Sequence, residues 1–163
     1  MRRYVTLGEM DIDLRMRPAD DPDALRLAAA MSAEVSARQA HADDVAVEQL
    51  KSLAEAIGPD GEVLVAYGEG DAVAIGALRE LDAGVGEIKR MYVAPTWRGA
   101  GVARRLLEAL EQRAGERGFE TVRLDTHDSL IEANRLYERA GYREIADYNR
   151  NPSANRWFEK SLA

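Results

Sequence analysis

Residues 88–107 constrain this chain most. An apolar strand signal there ends at Ala94-Pro95, and the loop Arg98-Gly-Ala-Gly101-Val-Ala103 leads at once into an amphipathic helix. Small residues at this point let the first helical turn expose backbone N–H groups that have no partner within the helix, which makes an anion site. The helix dipole adds about 0.3–1 kcal/mol, and more when buried. The loop therefore reads as a pyrophosphate cradle built from the backbone of Arg98, Gly99, Ala100, Gly101, Val102 and Ala103, with Arg104 in the first turn adding charge to a phosphate.

The rest of the chain places that loop. Residues 14–17 alternate as a first strand ending at Pro18, and Asp21-Pro22 is an N-cap followed by proline at the first helical position. An alanine-rich helix should run to about Ala40. Asp43-Asp44 can cap a second helix, with Val45, Leu50, Leu53, Ala54 and Ile57 on its apolar side and Gly58 at its stop. The period then changes. Residues 63–67 and 72–78 flank Gly68-Glu-Gly-Asp71, a hairpin signal, and a third strand at 87–93 follows Asp82-Ala-Gly84, giving an antiparallel meander. From Gly101 a helix places Val102, Ala103, Leu106, Leu107, Leu110 and Ala114 on one face, stops at Gly118 and returns as a strand at 121–125. A strand–helix–strand unit of this length implies a parallel pair with a right-handed crossover. Ser129-Leu-Ile-Glu132 matches a capping box for a helix ending at Gly141, and two further strands are expected at 142–146 and 156–160. The fold class is thus α+β with a mixed sheet, about six to seven strands and four helices. Residues 1–10 form an N-terminal extension and residues 11–163 a single domain.

Composition narrows the chemistry. The 163 residues carry no cysteine and only two histidines, His41 and His127, so disulfides, thiolate metal sites and a cysteine nucleophile drop out, and no histidine spacing suits a catalytic zinc. The expected metal set is none. A net charge of -7 disfavours nucleic acid as a partner. No apolar run suits a membrane span and the start lacks an apolar signal core, so no membrane is expected and the cytoplasm is the expected location.

Three features together make the chain resemble the GNAT family of N-acetyltransferases. Arg98-x-x-Gly101-x-Ala103 follows a strand ending Met91-Tyr92-Val93, as in that family's acetyl-CoA loop. Ala133-Asn134-x-x-Leu136-Tyr137 with Gly141-Tyr142 looks like its second cofactor element, and the succession of strands and helices over residues 12–161 follows the family's order. The resemblance implies acetyl-CoA as co-substrate and a primary amine of a small molecule or peptide as acceptor, and leaves room for a homodimer.

It also implies roles. Met91, Tyr92 and Val93 offer backbone groups to the pantetheine arm where the strand splays from its parallel neighbour after a bulge. One freed N–H, of Tyr92 or Val93, stabilises the oxyanion. Tyr137 is the general acid: the leaving thiolate has a pKa near that of cysteine, about 8.5, and a phenol near 10 can protonate it. Asn134, one turn earlier, faces the pantetheine amides. Glu87 matches the glutamate that serves as base in the histone-acetylating branch, and equally fits a strand-end carboxylate in a water network. Trp97 and Trp157 read as packing residues.

Other readings are weaker. His127-Asp128-Ser129 is not a hydrolase triad, because adjacent residues do not converge that way, no Gly-x-Ser-x-Gly elbow exists and Ser129 has a capping role. A dinucleotide-binding oxidoreductase would need a small residue where Arg104 stands, and βαβ repeats instead of a meander. A non-catalytic acyl-CoA sensor of the same fold shares every feature of the loop, with Tyr137 counting against it.

Overall fold

A seven-stranded mixed sheet organises the computed structural model, which describes residues 11–39 and 51–163. Its first part is the expected meander: β1 (Ile12–Arg17), β2 (Glu62–Gly68), β3 (Asp71–Asp82) and β4 (Val85–Val93), each antiparallel to the next. The β2–β3 turn has positive φ at Glu69 and Gly70, 52° and 87°. That two-residue geometry matches the twist of the flanking strands. Helix α1 (Pro22–Gln39) starts where Asp21 Oδ2 accepts from the N–H groups of Asp23 and Ala24, and the short α2 (Leu53–Ile57) follows.

The second part is α3 (Val102–Glu116), β5 (Thr121–Thr126), α4 (Ile131–Arg139), β6 (Arg143–Ile145) and β7 (Arg156–Ser161). The strand order is β1-β2-β3-β4-β5-β7-β6, with β4–β5 the parallel pair. Alternation along β2 and β3 divides the core. On one face α3 buries Val102, Leu106, Leu107, Leu110 and Ala114 in a cluster that continues to Tyr137 and Phe158 across both parts of the sheet. On the other, Leu27 of α1 and Ile57 of α2 meet Val65 and Ile75. Each such fully buried aliphatic side chain contributes about 1.5–3 kcal/mol.

One irregularity places the site. β4 and β5 are paired only from Val85 with Thr121 to Glu87 with Arg123. Beyond that point the β3–β4 register shifts, with Arg90 and Met91 together opposing the stretch between Ile75 and Ala77, and Arg90 has φ 58°. This β-bulge bends β4 away while β5 continues along β7 to Thr126, so the sheet opens as a V.

Two helix starts differ from expectation. Asp43, Asp44, Val45 and Leu50 lie outside the described residues, as do residues 1–10, but α2 begins only at Leu53. Ser52 caps it, its Oγ accepting from Glu55 N at 3.2 Å, so no single helix runs through Lys51 and Ser52. The Ser129 capping box is not formed: the N-cap of α4 is Leu130, one residue later, and Ser129 Oγ lies 2.8 Å from His127 Nδ1. A nearer polar partner has captured the hydroxyl. Among the described residues no helix is long and apolar enough to cross a membrane.

Candidate functional site

The loop before α3 presents a run of free donors. A 3-10 turn at Pro95–Trp97 uses Trp97 N on Ala94 O and Arg98 N on Pro95 O, and the next backbone bond is Arg105 N to Gly101 O at 3.2 Å. Between them the N–H groups of residues 99–104 meet no backbone acceptor among the described residues. Gly99 and Gly101 have φ of 78° and 80°, a conformation that turns successive N–H groups to one side and that glycine adopts without strain. The cradle thus starts at Gly99. Arg98, expected within it, has its own N–H engaged, and its side chain clamps the loop: Nε donates to Val93 O at 3.0 Å, and the two terminal nitrogens donate to Glu34 of α1 at 2.9 and 2.6 Å. The Glu34 carboxylate raises Arg98 further above its ordinary range. Arg104 is exposed and pairs with Glu108 at 2.9 Å. A surface pair of that kind is worth under about 1 kcal/mol, so the guanidinium can exchange it for a phosphate. Val102 and Ala103 contribute backbone to the cradle and side chains to the core.

The exposed edge of β4 continues from the cradle. Ala94 N donates to Val73 O, and N–H groups alternate along an antiparallel strand, so Tyr92 N–H also faces β3. The N–H groups of Met91 and Val93 therefore face the opened side of the V. Of the two donors considered for an oxyanion, geometry leaves Val93. Tyr92 instead packs its ring against the α1 side, under the Arg98 guanidinium 5.6 Å away.

Below this edge lies a cleft of about 610 Å³, bounded by β4, the end of β5, the start of α4, helices α1 and α2, and the β6–β7 loop. Tyr137, Glu87 and Met91 line it together. The Tyr137 ring is held edge-on by Tyr142 at 5.8 Å and tilted against Phe158 at 6.1 Å. Burial pushes its phenol well above the usual value, with Asp125 adding in the same direction. The hydroxyl therefore stays protonated at neutral pH.

Asn134 is placed differently from expectation. Its Nδ2 donates to His127 O at 2.8 Å and Leu130 O at 2.7 Å, and its Oδ1 accepts from Arg156 at 2.8 Å. Nδ2 is thus committed to the β5–α4 loop and Oδ1 to Arg156 of β7, so Asn134 ties the start of α4 to both. Glu87 is neither solvated nor loosely held. It is 2% exposed, with Arg79 and Lys89 at 3.4 and 3.3 Å from Oε1 and the Tyr148 hydroxyl donating to Oε2 at 2.7 Å. Tyr148, whose phenol burial and then Glu87 push well up, was invisible in sequence, since it lies in an irregular loop with no motif. The same loop brings Asn149 and Asn151 to Asp125, and Trp157 Nε1 to Asn149 at 2.9 Å. His127 Nδ1 meets both Ser129 Oγ and Asp128 Oδ1, at 2.8 and 3.2 Å. A triad needs the two partners on opposite ring nitrogens, so this is a loop contact.

Residues 27–142 match the family model described as the acetyltransferase (GNAT) family. An uncharacterized N-acetyltransferase of Escherichia coli (strain K12), YjgM, is 32% identical over 139 residues, 82% of each chain. The IAA acetyltransferase of Azospirillum brasilense is 40% identical over 96 residues, which cover 57% of this chain and 60% of that one. The matched part thus spans about three fifths of the length of that curated relative. A crystal structure from Klebsiella pneumoniae subsp. pneumoniae MGH 78578, proposed to be an acyl-CoA N-acyltransferase, superposes with a TM-score of 0.74 at 30% identity, over 95% of this chain and 100% of that one.

Proposed function

Because this chain belongs to the GNAT acetyltransferase family, we propose that it transfers the acetyl group of acetyl-CoA to a primary amine of a small molecule or peptide, by direct attack in a ternary complex. The observation that carries this reading is continuity. The free N–H groups of residues 99–104 lead to those of Met91 and Val93 along the opened edge of β4, and that edge borders the cleft lined by Tyr137.

Acetyl-CoA supplies an acyl group activated as a thioester. The residue 99–104 backbone is the donor set for its pyrophosphate, assisted by Arg104, and Met91 and Val93 are the donors for its pantetheine arm. Val93 N–H is assigned to the carbonyl oxygen that gains charge during attack. The amine must first lose a proton, and Glu87 is the carboxylate assigned to receive it. The amine lone pair then forms the C–N bond as the C–S bond breaks, the Tyr137 hydroxyl gives its proton to the departing sulfur, and the second proton, lost by the new amide nitrogen, restores the phenol. Asn134 serves as a positioning residue by fixing the turn that carries α4.

The test is a pair of measurements on the purified chain. Acetyl-CoA should raise the melting temperature while NAD leaves it unchanged, and an amine panel should release CoA thiol with at least one acceptor. The reverse thermal result would overturn the co-substrate assignment. Binding without turnover on a broad panel would favour a sensor of the same fold.

A further inference from the structure

Among the described residues the cleft is lined by more cations than carboxylates, although the chain carries a net charge of -7. Its carboxylates among the described residues are Glu55, Glu87 and Asp125, set against Lys51, Arg79, Lys89, Arg90 and Arg150. Two of these cations are already engaged, since Arg79 and Lys89 both sit against Glu87 Oε1. Asp125 is engaged as well, its Oδ2 accepting from Asn149 and from Asn151.

Arg90 is not engaged in this way. It is only partly exposed, yet among the described residues no carboxylate lies within ion-pair distance of it, and its one hydrogen bond runs from a terminal nitrogen to Lys51 O at 2.6 Å. Burial pulls its guanidinium below the ordinary value, opposed by the more distant Asp125. A cation withdrawn from water without a counter-ion is costly unless something else supplies the charge. Arg90 is also held in place deliberately: it occupies the β4 bulge with φ 58°, a conformation a non-glycine residue keeps only when its surroundings demand it. Arg150, with φ 52° and no carboxylate within ion-pair distance among the described residues, lines the same cleft from the β6–β7 loop.

We infer that the acceptor bears a carboxylate as well as its amine, and that Arg90 receives this carboxylate in the cleft, with Arg150 closing on it from the β6–β7 loop. A guanidinium takes a carboxylate through two parallel N–H donors, which fixes the orientation of the acceptor as well as its charge. The amine end is then left facing the carboxylate side of the cleft, Glu87 and Asp125. The positive lining suits an anionic acceptor, which the net charge of -7 does not by itself attract. The inference deepens the acetyl-transfer reading and rests on it for the role of acceptor.

Matched pairs test it: an α-amino acid with its α-amide, β-alanine with β-alaninamide, and γ-aminobutyrate with butylamine. Each pair is assayed for kcat/KM by CoA thiol release, and for equilibrium binding by calorimetry with CoA present. The wild-type chain should favour the carboxylate member of at least one pair by about tenfold or more. Arg90→Gln should collapse that ratio through KM, and Arg90→Lys, which keeps charge but loses the fork, should restore part of it. Equal handling of all pairs by the wild type, or an unchanged ratio in Arg90→Gln, would overturn the inference. If acetyl-CoA binds and no amine is turned over, the transfer reading fails and the calorimetry decides the anion site alone. Carboxylate binding that depends on Arg90 supports that site, and its absence rejects it.

Discussion

Gly101 shows how one residue can serve two requirements at once. Its φ of 80° starts α3, and its missing side chain leaves the donor run open, with nothing within 4 Å of where a Cβ would stand. Space is therefore not the constraint; conformation and charge are. Gly101→Asp should cost about 1–2 kcal/mol of stability through the left-handed backbone, and its carboxylate should abolish the melting-temperature rise given by acetyl-CoA. An unchanged rise would refute the cradle. At Tyr137 the expected loss is kinetic. Tyr137→Phe should lower kcat by about 10²-fold with little change in acetyl-CoA affinity. Because burial holds the phenol protonated, the wild-type rate should show no alkaline decline attributable to Tyr137 below about pH 10. Both residues could be read from sequence because the chemistry requires their type at that spacing. Asn134 could be found but not interpreted, since its partners are two backbone carbonyls set by how the loop closes and Arg156 from β7. Tyr148 could not be found at all. It reaches Glu87 across 61 positions of sequence from a loop without periodicity.

At the level of elements, the hydrophobic pattern carried most of the information. The meander, the crossover helix and the two C-terminal strands follow directly from the alternation and helical spacing of apolar residues. Helix starts were less legible because capping is a competition among nearby polar groups: Ser129 went to His127, and Ser52 capped α2. Packing between elements leaves one mark that periodicity does not reveal. A Cβ at Gly76 of β3 would lie 2.7 Å from Leu110 Cδ1 and 2.8 Å from Met91 Sδ, so α3 and the β4 bulge both approach the sheet through this gap. Gly76→Ala should destabilise the fold by about 1–3 kcal/mol in urea unfolding. It should also weaken acetyl-CoA binding, because Met91 would have to move. A variant as stable as wild type would show that this contact relaxes freely.

For the molecule as a whole, the order β1 to β5 could be anticipated because short connections and right-handed crossovers leave few alternatives, whereas the place of β7 between β5 and β6 was not legible. The opening between β4 and β5 was available only through resemblance, since a bulge at Arg90 depends on what the strand must avoid and not on its apolar pattern. That opening has a mechanical consequence. The strand ladder joining the two halves of the sheet consists of the pairings Val85–Thr121, Gly86–Val122 and Glu87–Arg123, and past them the described ties include side-chain contacts under α3 and α4 and the Tyr148–Glu87 bond. A ligand arm lying along Met91 and Val93 would act as a removable rung, stiffening a joint that is otherwise free to breathe. Hydrogen–deuterium exchange should then slow at residues 91–93 when acetyl-CoA is added, with little change in β1 and β2. Slowing spread evenly over the sheet would argue against this local joint. The same short ladder that opens the edge of β4 would make binding of a co-substrate there measurable as stiffness.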